Sequence, residues 1–268
     1  MTSLLNSTYT AYNHVFYELA DRRSDDWFLM RSIWFPVTIS VVYVYFVRVW
    51  GPRFMKNREP YKLDWFIIIY NLLQIVWCLL LFIRGYTLKW GTKYSLIGEP
   101  VDYSNDPEAV IIASGFWEYY ILKIIDLLDT VFFVLRKKFN QVTFLHIYHH
   151  AGMVITSWIV ARYVPGGHSV LVGATNCFVH VFMYGYYLMA NVWPEVKNMI
   201  WLKKHITHLQ LFQFVYLFFH SLPVLFMENS RYPKFMAGLF LLQSVAMTIL
   251  FSNFYITAYL RNKKVKST

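Results

Sequence analysis

The chain has 268 residues, 57% hydrophobic and 20% aromatic, with only 15% charged. A soluble domain carries about 25% charged residues, so the deficit excludes an ordinary water-solvated domain and points to lipid as the solvent. The formal net charge of +10 at pH 7 sits at the ends of apolar runs, not on a continuous polar face, which excludes nucleic acid and leaves topology signals and contacts to anionic substrates.

Taken in order, the first apolar run begins only near Ile33, after a charged stretch from Asp21 to Asp26, so no cleavable signal peptide is expected. Seven spans are predicted, at 30–50, 63–83, 110–135, 143–163, 170–190, 206–227 and 236–260. Each is near the ~20 residues that a tilted helix needs to cross a bilayer. Pro36 and Pro223 are expected to kink the first and sixth. One integral membrane domain fits 1–268, with a lumenal segment 1–29 and a basic cytosolic tail 261–268. Cys78 and Cys177 lie in apolar runs far apart in sequence, and neither a structural disulfide nor a zinc site is expected.

Orientation follows from lysine and arginine. Placing 51–62 on the cytosolic side gathers there Arg53, Lys56, Arg58 and Lys62, then Arg136, Lys137 and Lys138, then Lys197, Lys203 and Lys204, and finally the tail. Fewer basic residues remain opposite, so the amino terminus is lumenal and the carboxyl terminus cytosolic. The sequon Asn6-Ser7-Thr8 agrees, being usable only in the lumen. The tail Lys264-Val265-Lys266-Ser267-Thr268 is similar to the lysine-based retrieval signals of endoplasmic reticulum membrane proteins.

The fourth span carries His146-Ile147-Tyr148-His149-His150 inside an otherwise apolar run. The three imidazoles recur at i, i+3 and i+4 and share one helical face. Ionisable groups at membrane depth face a bundle interior or a watery cavity, so this face marks a functional site between helices. The third span adds Lys123, Asp126, Asp129 and Thr130 on one face; the fifth adds Asn176, His180, Tyr184 and Tyr187; the sixth opens with Thr207, Gln210 and Gln213. At 1.5 Å per residue the histidines lie about 5 to 10 Å, and Asp129 about 9 Å, from the cytosolic ends of their spans. One polar chamber near the cytosolic face is expected, with apolar helix below it. It suits an amphipathic ligand whose tail runs between helices and whose head meets a rim of Arg136, Lys137, Lys138, Lys203, Lys204 and Arg261, natural partners for phosphates.

Burial favours uncharged imidazole, which is both a nucleophile and a metal ligand. As a nucleophile, a ring nitrogen takes an activated acyl group while Asp126 or Asp129 fixes the tautomer through the other nitrogen. As metal ligands, histidine boxes should recur, as they do in membrane di-iron desaturases and hydroxylases. Here one box stands beside the scattered His14, His168, His180, His205, His208 and His220, too thin a set for two irons. A seven-helix receptor would place its termini on the same sides but leaves the box unexplained. A transporter should show broken helices in matching halves, which the sequence lacks.

The motifs resemble those of the very-long-chain fatty acid elongases, the condensing 3-oxoacyl-CoA synthases of the endoplasmic reticulum. KIIDLLDT, from Lys123 to Thr130, is similar to the family's KxxExxDT, with aspartate at the acidic position, and HIYHH to HxxHH. NCFVHVFMYGYY, from Asn176 to Tyr187, is similar to NxxxHxxMYxYY, and THLQLFQ, from Thr207 to Gln213, to TxxQxxQ. The four stand in the family's order across the middle third of the chain.

The resemblance implies an all-α membrane protein of seven transmembrane helices, six forming an inverted barrel around an acyl tunnel and the first packed outside. It implies an acyltransferase that condenses malonyl-CoA with a long-chain acyl-CoA, releasing carbon dioxide and CoA and yielding a 3-oxoacyl-CoA two carbons longer. It names acyl-CoA and malonyl-CoA as substrates, with no further cofactor and no metal. His149 is then expected to take the acyl group, His146 and His150 to complete the box, and His180 to contact or polarise the reacting carbonyl. Asp126 and Asp129 would orient the box, Asn176, Tyr184, Tyr187, Gln210 and Gln213 line the chamber, and Lys123 meet the CoA side. Cys177 occupies no motif position and reads as packing. Beyond the bilayer and the two substrates, expected partners are other enzymes of the elongation cycle or a second copy of the chain, and no nucleic acid.

Overall fold

The run Asp64–Leu88 shows why these segments become helices: it has no proline, and its one glycine comes in the last turn. Backbone groups that lipid cannot satisfy then pair within the segment. The computed structural model describes residues 7, 9, 10, 12–88 and 94–261, all helix, turn or loop with no strand among them. In chain order they form α1 (Trp34–Met55), α2 (Asp64–Leu88), α3 (Pro107–Ile125) and α4 (Leu128–Leu135). Then follow α5 (Phe144–Tyr163), α6 (Ser169–Val192), α7 (Ile200–Phe226) and α8 (Lys234–Tyr255), the last continued by a π-helical turn, Ile256–Arg261. Asn6 and Thr8 of the sequon and Lys264 and Lys266 of the tail lie outside the described residues.

Among the described residues, four helices are long and apolar enough to cross a membrane: Trp34–Met55, Asp64–Thr87, Ile200–Phe226 and Lys234–Arg261. Their outward faces leave large apolar groups uncovered, among them Trp65, Phe66 and Leu73 of α2, Phe219 of α7 and Ile249 of α8. Surfaces of that kind belong against lipid, and the chain is a multi-pass membrane protein. The expected spans 143–163 and 170–190 are the helices α5 and α6, whose apolar character is diluted by the histidines, Asn176 and Arg162.

The expected span 110–135 is not one helix. It breaks at Asp126 and Leu127, where the Leu127 N–H bonds Ile124 O and the Asp129 N–H bonds Asp126 O, both at 3.2 Å. These are three-residue turns, tighter than the α-helix. The break puts Lys123 in the last turn of α3 and Asp129 in the first turn of α4, where the helix dipoles favour a cation and an anion respectively. Pro36 is the third residue of α1 and Pro223 falls in the last turn of α7. Both prolines therefore lie in terminal turns instead of mid-helix.

Helix neighbours follow a closed sequence. α5 packs on α3, α3 on α2, α2 along α6, α6 on α7, α7 along α8, and α8 returns to α5, where Tyr148 donates to Gln243 Oε1 at 3.0 Å. α1 lies against α5 and, through its last turns, against α4. A Cβ at Gly51 would stand 2.7 Å from Val134 and 2.8 Å from the Phe46 carbonyl, so glycine permits that approach.

At the end away from HIYHH, Gly167 turns α5 into α6 with φ +54°, pressed against the carbonyls of Glu99 and Pro100. There the amino-terminal segment is tied to Arg162, 2% exposed. Its guanidinium donates to Ser24 Oγ at 2.8 Å and Asp25 Oδ1 at 2.6 Å.

Candidate active site

The break in KIIDLLDT lets one segment present an ammonium and two carboxylates to the same interior. Lys123 Nζ donates to Asp126 Oδ2 at 2.9 Å, and each residue is 2% exposed. The other oxygen of Asp126 accepts from Gln74 Nε2 at 2.7 Å, and Gln74 also meets the Tyr70 hydroxyl at 3.0 Å. Tyr184 OH lies 2.9 Å from Asp129 Oδ2 and 3.3 Å from Asp126 Oδ1. It has one proton, which the shorter distance assigns to Asp129. Asp126 thus carries the ammonium, and donors from α2 and α6 surround the two carboxylates.

His180 of α6 extends the cluster. Its Nδ1 is 3.5 Å from Lys123 Nζ and 3.9 Å from Asp126 Oδ2. An ammonium only donates, so Nδ1 accepts and the ring proton sits on Nε2.

The histidine box is held from a different side. Thr143 caps α5, its hydroxyl accepting from the His146 N–H. Thr130 Oγ1 lies 2.9 Å from His146 Nε2, and Tyr43 OH of α1 lies 2.7 Å from Thr130 Oγ1. The His146 and His150 rings are 4.1 Å apart between centroids, and those of His149 and His150 5.6 Å. Among the described residues neither Asp126 nor Asp129 hydrogen-bonds a ring of HIYHH; the fourth residue of the acidic stripe, Thr130, does.

His149 lines a cavity, partly open to the outside, together with Asn176 and Gln213. Away from those groups the wall is largely apolar, with Met153 and Val160 from α5, Leu217 from α7 and Phe240 from α8. From His149 to Val160 the cavity follows α5 for about 16 Å. Asn176 is oriented by the Tyr119 hydroxyl, which donates to its Oδ1 at 2.7 Å. Among the described residues His149 Nδ1 is buried without a hydrogen-bond partner.

Of the other expected residues, Gln210 Nε2 donates to Met183 Sδ at 3.6 Å, and Tyr187 is 38% exposed beside Tyr184. Lys123 lies inside the cluster, away from the basic rim. On the rim, Arg136 bonds Asp64 at 3.1 Å, Lys137 Nζ lies 3.4 Å from the Lys56 carbonyl, and Lys204 stands 6.0 Å above the Tyr259 ring. Lys203 is half-buried and Arg261 exposed. Partial burial, with Arg136 and Lys197 nearby, pushes the Lys138 ammonium below the ordinary lysine value, so the positive charge there is crowded.

The sequence reading missed Tyr43, Tyr70 and Gln74. Gln74 and Tyr70 had a signal, an amide one turn from a hydroxyl in an otherwise apolar run; Tyr43 had none among the aromatics of α1. It also missed that Cys78 of α2 and Cys177 of α6 share one buried cluster as free cysteines. Among the described residues no three His, Cys, Asp or Glu side chains are grouped so as to hold a metal ion.

A helical membrane protein with a buried histidine and acid cluster heading an apolar cavity is the class that fold and site define. The sequence profile of the ELO, or GNS1/SUR4, family matches residues 28–267. The chain is 38% identical over 257 residues to very long chain fatty acid elongase 7 of Drosophila melanogaster, covering 96% of this chain and 78% of that one. It is 39% identical over 271 residues to very long chain fatty acid elongase 4 of Homo sapiens, covering 99% and 86%. With elongase 7 of Rattus norvegicus it shares 39% identity over 253 residues, covering 93% and 89%. The chain belongs to the GNS1/SUR4 family.

Proposed function

We propose that the protein is a fatty acid elongase of the condensing type, a 3-oxoacyl-CoA synthase that joins malonyl-CoA to a long-chain acyl-CoA. The observation that carries this reading is His149, set at the junction of a polar cluster and a long apolar cavity with no hydrogen bond to its buried Nδ1. The cavity takes the acyl chain, and the thioester then lies beside the imidazole.

In the first half-reaction the ring nitrogen facing the cavity attacks the thioester carbonyl. The C–S bond breaks, and CoA leaves as a thiol with the proton the imidazole gives up. In the second, malonyl-CoA loses carbon dioxide, and the electron pair of the broken C–C bond forms an enolate. The enolate attacks the acyl-imidazole, the C–N bond breaks, and the departing ring nitrogen takes up a proton from water, which restores neutral His149. The developing oxyanion needs donors; His180, with its proton on Nε2, and Asn176 and Gln213 at the cavity wall are the candidates. Lys123, Asp126 and Tyr184 keep His180 in place.

Seven spans are part of the same reading. α3 with α4, α5 and α6 carry the polar stripes, which lowers their apolarity while their lengths still suit a bilayer. The closed sequence of neighbours supports six helices around the cavity as an inverted barrel, with α1 outside. The orientation proposed is amino terminus lumenal and carboxyl terminus cytosolic, in the endoplasmic reticulum, as one membrane domain.

The test is the purified protein given acyl-CoA and malonyl-CoA. Carbon dioxide release coupled to a product two carbons longer is expected, and His149→Ala should reduce it at least a thousandfold, about the loss of a nucleophile, while the protein stays folded. Full activity in that variant would remove His149 from the reaction.

A further inference from the structure

A second cavity, partly open to the outside, lies between α2, α3 and α6. It exists because three glycines, Gly85, Gly115 and Gly173, and Ala174 present almost no side chain there. The rest of its wall is mainly apolar, and Arg84 at its edge is paired with Glu118. Close-packed interiors leave few such spaces, and one walled mainly by apolar groups suits an apolar occupant.

This cavity shares Phe116, Tyr119 and Gly173 with the one headed by His149. Tyr119 is fixed by its bond to Asn176, whereas no hydrogen bond can hold a phenylalanine ring. Phe116 stands against Gly173, its Cε1 3.9 Å from where a Cβ would be, so a rotation of the ring meets no side chain from that position. Phe116 lies seven residues from Lys123, about 10 Å along α3 from the polar cluster, at a depth an acyl chain would cross.

We infer that Phe116 is a specificity-determining gate and that the second cavity is a side branch which receives the bend of a cis-unsaturated acyl chain. The inference rests on the proposed condensation reaction. A saturated chain extends along α5 within the first cavity. A chain with a cis double bond departs from that line and needs lateral room, which the swing of the Phe116 ring provides. The branch stops short of the histidines, so it selects among chains without touching the reacting atoms.

The test compares two acyl-CoAs of equal length, one saturated and one cis-unsaturated, by their condensation rates with malonyl-CoA. Gly85→Leu fills the branch from α2, where a Cβ meets Val170 and Ala174 only at ordinary contact distances of 3.5 and 3.6 Å; Ala174→Val fills it from α6. Neither residue lines the first cavity. Both variants should keep the saturated rate and lower the unsaturated-to-saturated ratio about tenfold, the scale of a mismatched apolar pocket. Phe116→Ala should raise the ratio. An unchanged ratio in either filled variant that still condenses the saturated substrate would overturn the gate, as it would if a bilayer lipid tail occupied the branch. Failure of the unaltered protein to condense either substrate would overturn the reaction itself, and the gate with it.

Discussion

Thr130 joins two polar groups that lie on different helices, the hydroxyl of Tyr43 and the Nε2 of His146. Replacing it with valine keeps the shape and removes both bonds, leaving the buried Tyr43 hydroxyl without a partner at about 1–3 kcal/mol and freeing the part-buried His146 Nε2. Thr130→Val should lower the melting temperature and reduce condensation, whereas Thr130→Ser should restore both. Loss in the serine variant as well would mean that the methyl group matters and not the hydroxyl. At this scale the sequence was most legible where a charged or imidazole group interrupts an apolar run, because such a group has few physical reasons to be there. Lys123, Asp126, Asp129, His146, His149, His150 and His180 are of that kind. Tyr43 was not, since a tyrosine suits a lipid-facing surface as well as a buried bond, and only coordinates separate the two.

Helices α1 and α4 approach closely where Gly51 meets Val134. A methyl group there forces Val134 or the backbone to shift, an overpacking cost of about 1–3 kcal/mol. Gly51→Ala should therefore lower thermal stability by that amount in detergent, with a larger loss for Gly51→Val. An unchanged melting temperature in both would show that the contact yields freely. The break between α3 and α4 belongs to this scale too. The spacing of Lys123, Asp126 and Asp129, each three apart, was readable as one face of a helix, yet it also fits the three-residue turns found there. Periodicity alone does not distinguish the two over six residues. The helix ends at the two prolines were likewise out of reach, because a proline is compatible with a first turn, a last turn or a bend.

Across the whole molecule, charge and apolarity divide by depth: basic groups crowd the end that carries HIYHH, and the cavity beyond is apolar. Lys203 and Lys204 stand at the start of α7 on that side, where a phosphate-bearing head would rest. Replacing both with alanine should raise the apparent Michaelis constant for acyl-CoA more than it lowers turnover, since a contact equal in ground and transition states affects binding alone. An unaltered constant would remove them from the head-group contacts. The all-helical membrane class was legible from composition and run length. The order of neighbours around the cavity was not, because apolar helix faces in lipid carry little information about partners.

The central claim is that His149 carries the acyl group between the two half-reactions. Incubating the protein with acyl-CoA in the absence of malonyl-CoA, then mapping peptides by mass spectrometry, tests it most directly. The account predicts free CoA and an acyl mass added to the peptide that contains His149, discharged when malonyl-CoA is supplied. A fully active enzyme with no such adduct, or with the acyl group on Cys177, would contradict it.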